Sequence, residues 1–520
     1  MRNMILSIAY ILGISLSVIA CNDDNTPVTD DKDLNETTTF KSVPEPNIYN
    51  LYYKPAVGYV GDPMPFYDEV SGKQYILYLQ DWRDGASTYH PIHCVSTSDA
   101  SSYVSYGESI PCGTLAEQDP ALGTGSTILK DGIYYTFYTG YKDNATSLQS
   151  KEAILLAKST DLKTWKKDRS FRLDAPSGYN SNDFRDPEVF YDDEAGVYKM
   201  LVATKKNGTA IIAQFSSTDL SNWTVNEPFF HNVWGRFYEC PDVFKMGDYW
   251  YMIYSDKDIT RQVQYFYAPT LAELQQRSDA NFPPNEGKLE GTAFYAGKTA
   301  GIGNERYLYG WCFTRSGKDN AGTGDWAGNL VAHKLIQNND GTLGLTIPDA
   351  VEEKFEKNQT PVERDTKGVV SGSILDGYTL SAGASVRFSR LGANNKITMK
   401  VKAPANNEAV FGLSFVDCSD LNIKYNIYIE ARWKMLKFDK VITDSETGQE
   451  SRININSNGF TPSSDANYTI TVVNEQSVCV VYVNGQYAFT NRIYNMQYNP
   501  WGIFSSDGSV TITDVTLSSY

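Results

Sequence analysis

The chain has 520 residues, more than one hydrophobic core usually organises, so two domains are expected. Its composition, with 41% hydrophobic and 13% aromatic residues, excludes a largely disordered protein. The net charge of −16 argues against a nucleic-acid partner, because phosphates would be repelled, and favours a neutral substrate. Four histidines in the whole chain argue against a histidine-based metal site or a histidine triad.

The N-terminus has the pattern of a targeting segment. A basic residue precedes an apolar run, Met4–Ala20, that is short for a membrane span and ends in small residues. Val18-Ile-Ala-Cys21 resembles a bacterial lipobox, which predicts a signal peptide over residues 1–21 and lipidation of Cys21; an ordinary secretory signal is the alternative. The segment 22–46 starts with polar and acidic residues and predicts a flexible tether.

Residues 47–350 repeat a short strand rich in aromatic side chains. The first tyrosines of the five copies are 59, 64, 51 and 58 positions apart, namely Tyr75, Tyr134, Tyr198, Tyr249 and Tyr307. A period of this length, made of short strands and turns, is typical of four-stranded propeller blades. We therefore expect a five-bladed β-propeller.

A second signature recurs between these strands. It reads Ser159-Thr-Asp-Leu-Lys-Thr-Trp165 and returns 58 residues later as Ser217-Thr-Asp-Leu-Ser-Asn-Trp223. A degenerate copy, Ser96-Thr-Ser-Asp99, precedes both. We interpret the signature as a turn near the outer edge of a blade, with its tryptophan packed between blades. This role is structural.

Three acids fall 13, 12 and 10 residues before a repeated tyrosine: Asp62, Asp186 and Glu239. The inner strands of a propeller converge on a central funnel, so we expect the three acids to occupy equivalent places and to face one another there. Each has a proline one or two residues later, which restricts the backbone and favours extended geometry for the acid. A single Asp-Pro is typical of a turn, but three such acids in register predict a catalytic site.

Two of the surrounding segments resemble motifs of glycoside hydrolase family 32, the β-fructosidases that include invertases, inulinases and levanases. They are Phe184-Arg-Asp-Pro187 and Tyr238-Glu-Cys-Pro-Asp242. The first motif of that family, Asn-Asp-Pro-Asn-Gly, is similar to Gly61-Asp-Pro-Met-Pro65. This chain keeps the acid and its proline and lacks the asparagine and the glycine. The resemblance implies conserved catalysis and a different fit around the sugar.

By this resemblance Asp62 is the nucleophile, Glu239 the acid/base and Asp186 the transition-state stabiliser of a retaining glycosidase, which requires no metal or organic cofactor. We also predict six substrate contacts: Gln80, Trp82, Ser126, Arg185, Trp311 and Trp326. Trp82 could equally be a core aromatic residue.

Residues 366–520 change to alternating strands, such as Lys396–Lys402 and Tyr468–Val473, and Asn484-Gly485 is a hairpin signal. They predict a β-sandwich beside the propeller, with a structural or a carbohydrate-binding role. Three segments resemble the sandwich appended to family 32 enzymes: Val481–Tyr487, Arg492 and Trp501–Phe504.

Cysteine use gives little further information. Cys94 and Cys112 could form a disulfide in an oxidising compartment, or both could be free thiols. Because the chain has no Cys-x-x-Cys pair, neither a zinc site nor a thioredoxin-like motif is expected.

The combined features predict an endo-acting levanase that cleaves β-2,6-fructan. Asp23 and Asp24 follow Cys21 and resemble the export signal of surface lipoproteins in Gram-negative glycan-utilisation systems. This implies a lipid anchor in the outer membrane, on the cell surface, with other glycan-uptake proteins as partners. A surface enzyme benefits from cutting a polymer too large to import.

Three alternatives remain open. The first is an exo-acting fructanase, inulinase or invertase. The second is an inverting enzyme of the five-bladed arabinanase and xylosidase group, whose two catalytic carboxyls would be about 6.5–9.5 Å apart. The third, of another class, is a non-catalytic surface glycan-binding protein.

Overall fold

The computed structural model describes residues 49–83, 89–143, 150–231, 236–276, 286–405 and 408–520. The predicted signal peptide with Cys21 and the predicted tether lie outside these residues. The described chain is almost entirely β, with short helices at Leu271–Gln276 (α1) and Asp349–Glu353 (α2) and 3-10 turns at Ser316–Lys318, Ala431–Trp433 and Met496–Tyr498. Within these ranges, no helix has the length and hydropathy needed to cross a membrane.

The first 21 strands form the five blades of a propeller, each an antiparallel sheet of strands consecutive in the chain. Blade 1 contains β1–β4 at Tyr59–Asp68, Lys73–Asp81, Ile92–Thr97 and Val104–Ile110. Blade 2 contains β5–β8 at Ala121–Lys130, Ile133–Tyr141, Glu152–Ser159 and Lys166–Lys167. Blade 3 contains β9–β13 at Tyr179–Asp192, Val197–Lys206, Thr209–Ser217, Thr224–Val225 and Phe230–His231. Blade 4 contains β14–β17 at Tyr238–Met246, Tyr249–Asp256, Val263–Ala268 and Glu286–Lys288, and blade 5 contains β18–β21 at Phe294–Ile302, Glu305–Arg315, Gly324–Gln337 and Leu343–Thr346.

The first strand of each blade is the innermost one. These strands are β1, β5, β9, β14 and β18, and they contact one another in a closed ring around the centre. The repeated aromatic strands recognised in the sequence are the second strand of each blade. Val60 in β1 also pairs with Gly328 in β20, which joins the first blade to the last.

The apolar cores of the propeller lie between neighbouring blades. Leu77 of blade 1 and Leu122 of blade 2 share one such cluster, to which Trp165 also belongs. In the repeated turn, Ser159 Oγ accepts from the N–H of Leu162 at 3.0 Å, and the Trp165 indole donates to the Leu162 carbonyl at 3.2 Å. The predicted role of the signature as a turn with an inter-blade tryptophan is confirmed.

The last 15 strands form a sandwich of two antiparallel sheets. Sheet one has the order β24-β25-β36-β27-β32-β33-β34, with β22 paired to β36; its strands are Lys357–Gln359 (β22), Val370–Ser373 (β24), Gly377–Leu380 (β25), Asn394–Lys402 (β27), Asn467–Glu475 (β32), Val478–Val483 (β33), Tyr487–Arg492 (β34) and Val510–Ser519 (β36). Sheet two has the order β23-β26-β35-β28-β29-β30-β31; its strands are Glu363–Lys367 (β23), Ala384–Arg390 (β26), Val410–Val416 (β28), Ile423–Glu430 (β29), Met435–Thr443 (β30), Glu450–Gly459 (β31) and Pro500–Asp507 (β35). Since β22 precedes residue 366 and β23 begins at Glu363, the sandwich begins earlier than its alternating pattern indicates.

An apolar face and a buried cation are among the contacts that fix the sandwich to the propeller. Val480 and Tyr482 of β33 share a core cluster with Leu308 and Val331 of blade 5. The fully buried Arg492 donates to the carbonyls of Phe313 and Cys312 in β19 at 2.8 and 3.0 Å, to Asn329 Oδ1 at 2.6 Å and to Ser477 Oγ at 2.7 Å. These contacts support the structural role of the sandwich.

The six cysteines of the described ranges are all free thiols. Cys94 is fully buried in blade 1, and Cys112 is partly exposed. The sequence left open whether Cys94 and Cys112 form a disulfide or are free thiols; in the structure both are free thiols.

Candidate active site

Every innermost strand carries a β-bulge at the same level of the funnel. Each gains one residue relative to its partner strand, and the five bulges lie between Gly61 and Met64, Gly123 and Gly125, Arg185 and Glu188, Glu239 and Asp242, and Tyr295 and Lys298. A bulge bends the strand and redirects a side chain, so bulges are common beside active sites. The funnel is therefore lined by five equivalent irregularities.

The residues inside these bulges have an unusual backbone. Asp62, Asp186 and Cys240 have φ of 24°, 59° and 52°, and each is followed by a proline. The extended geometry predicted for the acids is therefore wrong for Asp62 and Asp186. A positive φ is unfavourable for non-glycine residues and persists only where the surrounding structure imposes it. Here the bulge overrides the preference that proline gives to the residue before it.

The bulges also correct the predicted alignment of the acids. Asp62 and Asp186 are the first residues inside their bulges, whereas Glu239 is the residue before its bulge. Glu239 is thus equivalent to Gly61 and Arg185, one residue out of register with the other two acids. The longer glutamate side chain therefore starts one residue before the bulge and not inside it.

Asp62 lies on the floor of the funnel, surrounded by protein but with part of its surface open. Thr124 donates its hydroxyl to Oδ2 at 2.8 Å, and the Trp311 indole donates to Oδ1 at 3.0 Å. Burial, followed by repulsion from Asp186, raises the pKa of Asp62 from 3.8 to about 7, and the two hydrogen bonds oppose this rise. Trp311 is almost fully buried and holds this carboxylate, and the substrate contact predicted for it stays a prediction.

Asp186 links blades 2, 3 and 4. Its backbone N–H donates to Thr139 Oγ1 at 2.9 Å, and its Oδ2 accepts from the backbone N–H of Cys240 at 2.9 Å. Burial and repulsion from Glu239 raise the pKa of Asp186, because two nearby carboxylates disfavour each other's charge. Asp186 therefore lies beside Glu239, because Cys240, the residue that follows Glu239, supplies that N–H donor.

Glu239 has a partly exposed side chain. Arg185 Nη2 lies 3.1 Å from Oε1, and Tyr295 donates its hydroxyl to Oε2 at 2.8 Å. Lys257 Nζ approaches Oε1 at 3.4 Å from the rim. The side chain keeps 17% of its surface accessible, so it is held in place but open to the funnel.

Arg185 connects Glu239 to a second pair of acids. Its Nη1 lies 3.1 Å from Glu152 and 2.9 Å from Asp183, and its guanidinium stacks 4.4 Å from the Phe237 ring. Five donors in a fixed plane allow one arginine to orient all three acids. Arg185 therefore lies in the site, where it contacts Glu239, Glu152 and Asp183. The predicted contact of Arg185 with substrate stays a prediction.

Trp326 packs against position 61, the first residue of the motif that contains Asp62. A Cβ atom at Gly61 would lie 2.3 Å from the Trp326 ring, so no other residue fits at position 61 without a shift. The indole contacts His90 with ring centroids 4.4 Å apart and keeps 38% of its surface exposed. An exposed aromatic ring beside the segment that carries Asp62 suits a sugar surface, and the substrate contact predicted for Trp326 remains a prediction.

Two other predicted contacts are buried. Gln80 is fully buried and donates to the Val57 carbonyl at 2.6 Å, and Ser126 accepts from the backbone N–H of Val189 at 2.8 Å. Both hold the scaffold together, and their burial gives no support for the predicted substrate contacts. Trp82 is half-buried against His93, with ring centroids 5.8 Å apart, so its role stays a prediction.

Sequence reasoning missed Thr124 and Tyr295. A signal for Thr124 was present: Asp62, Thr124 and Asp186 are spaced by 62 residues, the separation of equivalent bulge positions. Tyr295 lies 56 residues after Glu239, at the equivalent position of the next blade. Neither residue carries a charge or a proline, which is why the pattern of acids did not reveal them.

Three carboxylates on a propeller floor, held by neutral donors and one arginine, define a glycoside hydrolase site. The chain matches the family model described as Glycosyl hydrolases family 32 N-terminal domain over residues 52–346. The model described as GH32, BT1760-like, C-terminal domain matches residues 341–517. The protein belongs to glycosyl hydrolase family 32.

Relatives and structures agree with this assignment. The insoluble β-fructofuranosidase isoenzyme CWINV1 of Arabidopsis thaliana is 24% identical over 288 residues, which are 49% of this chain and 48% of that protein. A levanase of Bacillus sp. strain L7 is 33% identical over 125 residues, 22% of this chain and 12% of that protein. The matches to these relatives thus span half of their length or less.

Among solved structures, the exo-inulinase of Aspergillus awamori has a TM-score of 0.70 at 17% identity and covers 92% of this chain and 99% of its own. Fructan 1-exohydrolase IIa from Cichorium intybus has a TM-score of 0.69 at 17% identity, with coverages of 92% and 98%. At this identity the likeness concerns the fold, a five-bladed β-propeller followed by a β-sandwich.

Proposed function

We propose that the protein hydrolyses β-fructosidic bonds of fructan by a retaining mechanism. The observation that carries this proposal is the setting of Asp62, whose two carboxylate oxygens are each fixed by a neutral donor beside Asp186 and Glu239. A nucleophile requires such fixed orientation, and an acid/base requires a carboxyl that solvent and substrate can reach. Glu239 meets the second requirement.

The reaction follows the two-step scheme of retaining glycosidases. An ionised oxygen of Asp62 attacks the anomeric carbon, the bond to the leaving oxygen breaks, and Glu239 gives that oxygen its proton. Glu239 then takes a proton from water, whose oxygen bonds to the anomeric carbon while the bond to Asp62 breaks. Asp186 would accept hydrogen bonds from sugar hydroxyls and stabilise the positive charge of the transition state.

The finer proposal is an endo-acting levanase for β-2,6-linked fructan. It is supported by the relative named levanase, which at 33% shares more identity with this chain than the 24% of the β-fructofuranosidase, although over a shorter segment. It is further supported by the proposed surface anchor, because a polymer must be cut before import.

The test is to incubate the purified protein with levan, with inulin and with sucrose in parallel and to separate the products by chromatography. A ladder of oligosaccharides from levan alone is the expected result. Release of fructose alone would make the enzyme exo-acting, and cleavage of inulin or of sucrose alone would make it an inulinase or an invertase. Binding of levan without any product would favour the glycan-binding alternative.

We also propose that Cys21 carries a lipid that anchors the protein in the outer membrane, facing outward with other glycan-uptake proteins. Expression in a Gram-negative host should give a membrane-bound protein that added protease degrades on intact cells. The Cys21→Ala variant should be released from the membrane fraction. Equal partition of both forms would contradict the anchor.

A further inference from the structure

Lys298 is a buried cation beside the bulges of the innermost strands, three of which carry or adjoin Asp62, Asp186 and Glu239. It is the first residue after the bulge of β18, and its side chain is 3% exposed. Its Nζ lies 2.7 Å from Glu188 Oε2, 3.1 Å from the Pro241 carbonyl and 3.2 Å from the Gly125 carbonyl. An ammonium group has three N–H donors, so all three are used.

The three acceptors come from three other blades, and each adjoins or lies within a bulge. Gly125 follows Thr124 in blade 2, Pro241 lies inside the bulge of blade 4, and Glu188 ends the bulge of blade 3. One side chain of blade 5 therefore holds three of the five irregular segments. No regular ladder partner could do this, since the bulges interrupt the pairing there.

Burial of this cation needs a physical reason. A lysine removed from water loses its hydration, and buried ion pairs are often no more stabilising than apolar groups of the same size. The contacts of Lys298 are instead concentrated where the backbone is strained, next to the positive φ values of Asp186 and Cys240. Strained segments keep one conformation only when their surroundings fix them.

We infer that Lys298 is a positioning residue for the proposed reaction. By holding Gly125 and Pro241 it sets the segments from which Thr124 donates to Asp62 and the Cys240 N–H donates to Asp186. Lys298 acts through these groups. The three hydrogen bonds described for Lys298 go to neither Asp62 nor Asp186. The inference rests on the proposed roles of Asp62 and Asp186.

The charged and titratable groups around Lys298 give the inference a second readout. They are Glu188 and Asp186 of β9, Asp242 and Cys240 of β14, and Arg306 of β19. Burial raises the pKa of Glu188 to about 7, and Lys298 opposes that rise. Burial and Glu239 raise the pKa of Asp186, which Lys298 also opposes. Loss of the cation should therefore raise both pKa values.

The experiment compares initial rates on levan for the wild type, Lys298→Met and Lys298→Gln. A misplacement of about 1 Å costs on the order of 100-fold in rate, so Lys298→Met should lose about that much in kcat with KM changed by less than about threefold. The acid limb of the pH–rate profile of Lys298→Met should move to higher pH.

Lys298→Gln keeps an amide donor for the two carbonyls and should recover part of the kcat that Lys298→Met loses. Lys199→Met, which removes a lysine paired with Asp192 at 2.7 Å in blade 3, is the matched control and should keep wild-type kinetics.

A double variant separates positioning from stability. Lys298→Met with Glu188→Leu removes the whole ion pair, so it should fold with a melting temperature near that of the wild type and still show the loss in kcat. Wild-type kcat in the double variant, or a pure loss of soluble protein in every Lys298 variant, would overturn the inference. A wild type that cleaves neither levan nor inulin would instead contradict the proposed function, whereas an active wild type with an equally active Lys298→Met contradicts the inference alone.

Discussion

The innermost strands of the propeller and the central strands of the sandwich use the same antiparallel pairing but differ in where it is irregular. In the sandwich, β27 pairs with β32 and β28 pairs with β29 without a register shift, whereas β27 shifts against β36 near its middle and β28 shifts against β35 at its start. In the propeller, all five innermost strands are bulged at one level. Regular pairing builds an apolar core, whereas the bulges turn polar side chains toward the funnel.

The two regions also differ in what they bury. The sandwich core is apolar, with Phe388 stacked on Trp501 at 4.5 Å. The funnel concentrates Asp62, Asp186 and Glu188, whose pKa values burial raises. Because a buried carboxylate favours neutrality, each of these groups costs stability at neutral pH. The proposed function thus resides in strained bulges that regularly paired strands carry.

The largest expected effect comes from Asp62→Asn. Without a nucleophile the proposed intermediate cannot form, so kcat on every fructoside should fall by roughly 10,000-fold or more. The folded-state pKa of Asp62, about 7, lies above its ordinary 3.8, so the folded protein binds the extra proton and stability decreases as pH rises between these values. The variant should therefore melt no earlier than the wild type at pH 8.

Asp219→Asn is the matched control for that substitution. Asp219 closes the repeated turn of blade 3 by accepting hydrogen bonds from the N–H groups of Ser221 and Asn222, both at 2.8 Å. It belongs to a turn and not to an innermost strand. It should keep wild-type kcat. Full activity in Asp62→Asn would remove the proposed mechanism.

Replacement of Glu239 by alanine should have a smaller effect that depends on the leaving group. General acid catalysis contributes roughly 100- to 10,000-fold, so cleavage of levan should fall within that range. An aryl β-fructoside, whose leaving group needs little protonation, should be cleaved with a milder loss. Azide should restore part of the turnover by replacing water in the second step, and it should not rescue Asp62→Asn. Equal rescue of both variants would mean that the two roles are wrongly assigned.

The repeat and the three acids were predictable from the sequence because local patterns encode them. The five aromatic strands and the Ser-x-Asp-Leu turns recur at nearly constant spacing, and prolines mark the acids. The same prolines misled the backbone prediction, since Asp62 and Asp186 have positive φ. Proline expresses a local preference, while the bulge is imposed by pairing and packing across blades.

Other features of the site depend on the same packing. Gln80 and Ser126 match the family pattern by position, and inter-strand and inter-blade packing buries both, so their substrate contacts stay predictions. The offset of Glu239 by one residue is set by where the bulge of β14 begins. Such registers depend on the partner strand, so no single segment of sequence contains them.

Thr124→Val should shift the pH profile rather than abolish activity. The Thr124 hydroxyl bonds the ionised form of Asp62 and lowers its pKa, so its loss should raise that pKa by about one unit. Because attack needs ionised Asp62, kcat/KM of the wild type should fall on acidification, with a midpoint well above the pKa of an ordinary carboxyl group. In Thr124→Val the midpoint should lie at a still higher pH. An unchanged acid limb would show that another group controls it.

The smallest effect on catalysis is expected in the sandwich. Arg492→Met leaves the Cys312 and Phe313 carbonyls without this donor, at a cost of about 1–3 kcal/mol for each buried unsatisfied group, so its melting temperature should fall clearly. Lys400→Met breaks the exposed pair of Lys400 with Asp514 and should change the unfolding free energy by less than about 1 kcal/mol. Equal melting temperatures for the two variants would contradict the assignment of Arg492 as the link between sandwich and propeller.

The most direct test of the central claim is the configuration of the transfer product formed from levan in aqueous methanol. Methanol can replace water in the second step, so a covalent intermediate on Asp62 should yield methyl fructosides. NMR should show only the β-anomer, because two displacements at the anomeric carbon restore the original configuration. Methyl α-fructosides would contradict a retaining reaction at these three carboxylates.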